Sequence, residues 1–206
     1  NKKNNQKIVP ICDSIERKPI NYYLNTNFPI PTDGIEIVNK LIYYVNQIGY
    51  LKVEKSTTPS KKCEIIKTRP QDVDSNFYEN ITTWRLDDLN PKLVIDYSNI
   101  PCCYRNIKKL VLAHKMYGFP FFDETGKYGI SSRDNYIISE KDYTFQELKL
   151  IQKFLSTKFA IFIFSLANYR MRYLEKSAFY FLPDITKIKD LLDLIDIKKN
   201  ELDNKI

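Results

Sequence analysis

A chain of 206 residues, 43% hydrophobic and 28% charged, has globular composition and enough length for one sizeable core or two small ones, which excludes disorder over most of it. Its formal net charge of +7 and isoelectric point near 9.0 favour polyanionic partners, because clustered Lys and Arg release counterions condensed on phosphates. The longest apolar run, 159–164 extended to Ala167, falls short of the ~20 residues that span a bilayer, so no membrane partner is expected. The expected location is the cytoplasm, the nucleus or the inside of a virus particle.

Asn1 to Lys7 reads as a polar, flexible lead-in, followed by the apolar stretch Ile8–Cys12. The prolines of Phe28-Pro-Ile-Pro-Thr-Asp33 predict an extended segment leading into a helix. Asp33 and Glu36 have capping-box spacing. Val38, Leu41, Ile42, Val45 and Ile48 then recur at i, i+3, i+4 and i+7, and Gly49 suits a C-terminus, which predicts a helix over 34–48. Leu51–Glu54 and Cys63–Lys67 predict short strands of a hairpin arm around an exposed Ser/Thr/Lys loop. A composition shift at 87–92 predicts a boundary between an N-terminal α+β segment, 1–90, and a second unit, 91–186, followed by a helical tail, 187–206.

Lys92–Tyr97 and Lys108–Ala113 predict strands. Phe119-Pro-Phe-Phe122 runs into the turn Asp123-Glu-Thr-Gly126, whose Gly supplies a positive φ, and Tyr128–Ser131 and Tyr136–Ser139 continue as strands, so 92–139 reads as one compact sheet. Thr144 with Glu147 forms a second capping box, opening a helix that bears Phe145, Leu148, Ile151, Phe154 and Leu155. A further helical stretch, about 157–176, buries Phe159, Phe162, Ile163 and Leu166 and turns basic at Arg170 and Arg172. Phe181–Ile185 precedes a Lys/Asp/Leu-rich tail with helical periodicity at Ile188, Leu191, Leu192 and Ile195. The expected fold class is α+β, a small mixed sheet with flanking helices.

Four cysteines, Cys12, Cys63, Cys102 and Cys103, match neither a disulfide framework nor a zinc pattern, and reduced, mostly buried thiols are expected. With His114 as the single histidine, a His-dependent triad has few ways to assemble. Neither GxGxxG nor GxxxxGK[ST] occurs, which disfavours ATP, NAD and a self-contained S-adenosylmethionine site, so no cofactor is expected. Asp123, Glu124 and Lys127, or Glu140 and Lys141, are the metal-nuclease candidates, with a turn the simpler reading of the first group.

Residues 91–185 carry Pro91-Lys-Leu-Val-Ile95, Lys109-Leu-Val-Leu112, Phe122-Asp-Glu-Thr-Gly-Lys-Tyr-Gly129, Phe154-Leu-Ser-Thr-Lys-Phe159 and Phe181-Leu-Pro-Asp-Ile185. In that order and spacing they resemble the C-terminal target-recognition region of adenine-specific DNA methyltransferases and of fused restriction-modification enzymes. Asn90-Pro91 is followed by Lys92, so the Asn-Pro-Pro-Tyr catalytic motif of that family is absent, as is its glycine-rich cofactor motif. The resemblance therefore implies a reader of double-stranded DNA without a writer. Its catalytic partner, a methyltransferase or nuclease, would lie in another domain or subunit.

Within the matched region His114, Lys115, Tyr117, Arg133, Asn135 and Tyr136 have the chemical types that reach base edges, Arg suiting guanine and Asn adenine. Lys108, Lys109, Lys127, Arg170 and Arg172 suit phosphates, and Tyr128, Tyr169 and Tyr173 suit stacking on an extruded base. Two other readings stay open: a structural or interaction protein, such as a component of a large DNA virus particle, and a divergent metal-dependent nuclease using Asp123 or Glu124.

Overall fold

Hydrophobic runs long enough to be buried on both faces give this chain its middle layer. In a computed structural model, residues 7–24, 27–67, 77–87, 90–115, 119–167 and 173–188 are described. Their strands are β1 (Lys7–Asp13), β2 (Lys18–Leu24), β3 (Glu54–Lys55), β4 (Ile65–Ile66), β5 (Tyr78–Asp87), β6 (Asn90–Ser98), β7 (Lys109–Ala113), β8 (Phe121–Asp123), β9 (Gly129–Ile130) and β10 (Asn135–Ser139). The helices are α1 (Ile35–Ile48), α2 (Phe145–Leu155) and α3 (Lys158–Leu166), followed by 3-10 turns at Lys176–Phe181 and Ile185–Lys187.

An antiparallel sheet of order β3-β10-β7-β8 forms the middle, and β7 and β10 are buried along their whole length. Alternation sorts their side chains. Leu110, Leu112, Tyr136 and Ile138 join the larger core with α1, α2, α3 and the 3-10 turns. Val111, Ala113 and Ile137 face the other way and meet Ile81, Trp84 and Ile130 of a second sheet, β4-β6-β5-β9, in which the β5–β9 pair is parallel. The fold is thus α+β, with the second sheet mixed, and β1–β2 forms a separate antiparallel ribbon whose Tyr22 enters the larger core. No helix among the described residues is long and apolar enough to cross a membrane.

Helix α1 buries Ile35, Val38, Leu41 and Val45, as its periodicity requires, but its N-terminus differs from the expected Asp33–Glu36 box. Gly34 occupies the N-cap at φ 61, a left-handed conformation, where an added Cβ would sit 3.1 Å from a Leu166 methyl. The cap acceptor comes instead from the ribbon turn: Ile35 N–H donates to Asp13 Oδ2 at 2.7 Å. Asp33 turns back, accepting from Ser14 N–H at 3.0 Å and from the Ser14 hydroxyl.

The sheet expected over 92–139 is divided, with β6 and β9 in the second sheet and β7, β8 and β10 in the middle one. The predicted arm around 51–67 is not a hairpin either, because β3 pairs with β10 and β4 with β6. Asp87 pairs with Asn90, Leu86 with Pro91 and Arg85 with Lys92 in the β5–β6 ladder, so the expected division at residue 90 falls within a paired element. The helix expected over about 157–176 is α3 up to Leu166, with the 3-10 turn beginning at Lys176. Nearly all of the tail, 189–206, lies outside the described residues.

Candidate functional site

The two ends of β7 divide the candidate residues. At its start, Lys109 stands opposite Asp123 across the β7–β8 register and is fully buried. Its Nζ donates to Asp123 Oδ2 at 2.6 Å, to the Tyr128 carbonyl at 2.6 Å and to the Ile107 carbonyl at 3.2 Å. Burial pushes the ammonium below the ordinary lysine range, opposed by the Asp123 carboxylate. Asp123 also accepts from the backbone N–H groups of Lys127 at 3.1 Å and Tyr128 at 3.0 Å. These bonds commit Asp123 to the turn. Gly126, at φ 69, completes it, since a Cβ there would meet the Ile107 nitrogen at 2.7 Å.

At the other end of β7 an open cleft of about 380 Å³ is lined by Thr82, Thr83, Trp84 and Arg85 of β5, Val94 of β6, His114, Lys115, Ser132, Asp134 and Tyr173. Backbone bonds fix its walls: His114 N–H donates to the Asp134 carbonyl at 2.8 Å, and Leu174 N–H donates to the His114 carbonyl at 2.7 Å. The His114 ring stacks on Tyr173 with centroids 4.8 Å apart, and its Nδ1 lies 4.0 Å from Asp134 Oδ1. Arg133 is exposed and stands between the lining residues Ser132 and Asp134. Among the described residues Arg85, Lys115 and Arg133 form no ion pair.

A second, apolar pocket of about 420 Å³ is walled by Leu86, Phe119, Pro120 and Phe121 with Glu124 and Gln152. Trp84 belongs to both walls, is 1% exposed, and donates its indole N–H to the Val111 carbonyl at 3.0 Å.

The structure therefore brings His114 and Lys115 to one cleft, adds Arg85, which the sequence reading passed over, and sets Arg133 between two residues of its lining. Three expected contacts need correction because they are buried. Lys109 is enclosed with its donors satisfied. Asn135 uses its side-chain N–H to hold the Thr82 carbonyl at 2.9 Å, tying β10 to β5, and Tyr136 packs on Phe179 while its hydroxyl donates to the Leu174 carbonyl at 2.8 Å. Lys108 and Lys127 lie at the opposite end of β7, roughly 16 Å from the cleft along five residues of strand. Lys108 Nζ sits 5.3 Å from the centre of the Phe145 ring, and Lys127 pairs with Glu79 at 2.5 Å. Tyr117, Tyr169, Arg170 and Arg172 lie outside the described residues.

Arg85 escaped notice because of a register shift between Ile81 and Thr83 in β5, which breaks the two-residue alternation that marks a strand. None of the protein-family models, curated proteins or solved structures compared with this chain matches it.

Proposed function

We propose that the chain binds double-stranded DNA across the cleft at the His114 end of β7. In this reading it is a sequence-reading module without catalytic machinery of its own, serving a methyltransferase or nuclease in another domain or subunit. The observation that carries the reading is that Arg85 and Lys115 line one open cleft, neither in an ion pair among the described residues, with the exposed Arg133 set between the lining residues Ser132 and Asp134. Cations outside a close ion pair can exchange their counterions for a phosphate, and Arg presents a fork that fits guanine. Thr82, Thr83 and Ser132 supply hydroxyls for the phosphate and sugar contacts that set register, and the resemblance of 91–185 to target-recognition regions agrees with this use.

Binding to a random-sequence duplex library at two salt concentrations, followed by sequencing of the retained fraction, tests the proposal. A short enriched motif that is lost in Arg133→Ala supports sequence reading. Retention without enrichment reduces the cleft to a basic surface. No binding at low salt sinks the DNA reading and favours an interaction protein, for which the exposed Ile65, Ile66 and Val94 on the β4–β6 edge would be the contact surface.

A further inference from the structure

Pairing of β4 with β6 places Ile65 opposite Ser98 and Ile66 opposite Tyr97, and Glu64 N–H donates to Asn99 Oδ1 at 3.0 Å. These contacts carry Cys63 onto the turn after β6. Its Sγ lies 3.4 Å from Cys102 Sγ although the residues are 39 apart in sequence. Cys102 is held in place by close neighbours: its Sγ donates to the Ser98 hydroxyl at 3.7 Å, and a Cβ at Gly129 would stand 2.9 Å from its own Cβ. Cys63 is half-buried, whereas Cys12 and Cys103 are exposed.

We propose that Cys63 and Cys102 are a thiol–disulfide site, a reversible cross-link that fastens residues 56–67 to the turn after β6. The oxidant is a small-molecule disulfide of the glutathione class. The Cys63 thiolate, on the more accessible side, attacks one sulfur of that disulfide, forming a mixed disulfide and releasing one glutathione thiolate. The Cys102 thiolate then attacks the Cys63 sulfur, closes the Cys63–Cys102 bond and releases the second glutathione. Two electrons pass from the cysteine sulfurs to the glutathione disulfide, and the two thiol protons end on the two glutathiones. Burial pushes the Cys102 thiol up to about 11, so closure is favoured as pH rises. The inference is independent of DNA binding.

The test treats the full chain with glutathione disulfide, alkylates the remaining thiols and digests without reduction for mass spectrometry. The expected product is a peptide pair joined at Cys63 and Cys102, whether or not the exposed Cys12 and Cys103 also carry glutathione. Cys103→Ser keeps the cross-link, and Cys63→Ser abolishes it. Cys102→Ala abolishes it too, with circular dichroism confirming that this buried substitution still folds. Adducts confined to Cys12 and Cys103, a Cys102–Cys103 link, or four surviving thiols would each overturn the proposal.

Discussion

Lys109 carries an ammonium to a place where protein acceptors replace water: one carboxylate and two carbonyls. Removing the carboxylate leaves that charge uncompensated, so Asp123→Ala is expected to cost about 3–5 kcal/mol, read as a lower urea midpoint. Lys109→Met replaces the ion with apolar volume and leaves Asp123 the turn amides, so a smaller loss of about 1–3 kcal/mol is expected. The opposite ranking would contradict this account. A lysine is almost never fully buried, which is why Lys109 reads as a phosphate contact in the sequence. Only its register opposite Asp123 reverses that reading. Asp33 gives a pH dependence at the same scale. Hydrogen bonds donated by Ser14 and by the Gly34 and Ile15 amides hold its carboxyl well below the ordinary range. A depressed carboxylate stabilises the fold above its unfolded pKa of about 3.9 and loses that contribution as pH falls toward its folded value. Acid titration followed by amide exchange should therefore show the ribbon turn at Ser14–Ile15 opening below about pH 4, with Asp33→Asn removing the transition.

Caps show how far local spacing carries at the level of elements. Thr144 and Glu147 satisfy each other's neighbourhood within four residues, the Thr144 hydroxyl accepting from Glu147 N–H at 3.3 Å and Thr144 N–H donating to Glu147 Oε2 at 2.7 Å. That box was legible because both partners are local. The same spacing at Asp33 and Glu36 misleads because the acceptor for Ile35 arrives from Asp13, 22 residues away. Asp13→Ala is expected to cost about 0.5–2 kcal/mol, measured by thermal unfolding, and Glu36→Ala much less. Strands follow the same logic. β7 and β10 stand out as apolar runs, whereas β5 hides behind its register shift and short β3 and β4 reveal nothing of their partners.

For the whole molecule, class and most elements could be read from the chain, while the assignment of strands to sheets could not. Two cores share β7 and β10 as a wall, and pairing within that sheet joins residues as distant as Glu54 and Ile137. Such pairing leaves no local pattern. The candidate site suffered for the same reason: His114, Lys115 and Arg133 were legible as chemical types, but their separation from Lys108, Lys109 and Lys127 by the length of β7 is a property of the fold. If the cleft holds DNA, Lys115→Ala should lower the slope of log affinity against log salt by about 1 without altering sequence preference, whereas Lys108→Ala should leave that slope unchanged.

Trp84, the chain's single tryptophan, lines both the cleft and the apolar pocket. Its indole is shielded from water and anchored to Val111, so its fluorescence begins from an apolar, fixed environment and emits at short wavelength. A molecule entering either cavity alters the surroundings of that one fluorophore, and binding can be followed without attaching a label. A shift to longer wavelength ahead of the loss of helical signal would mark the two sheets parting while the helical core is still assembled.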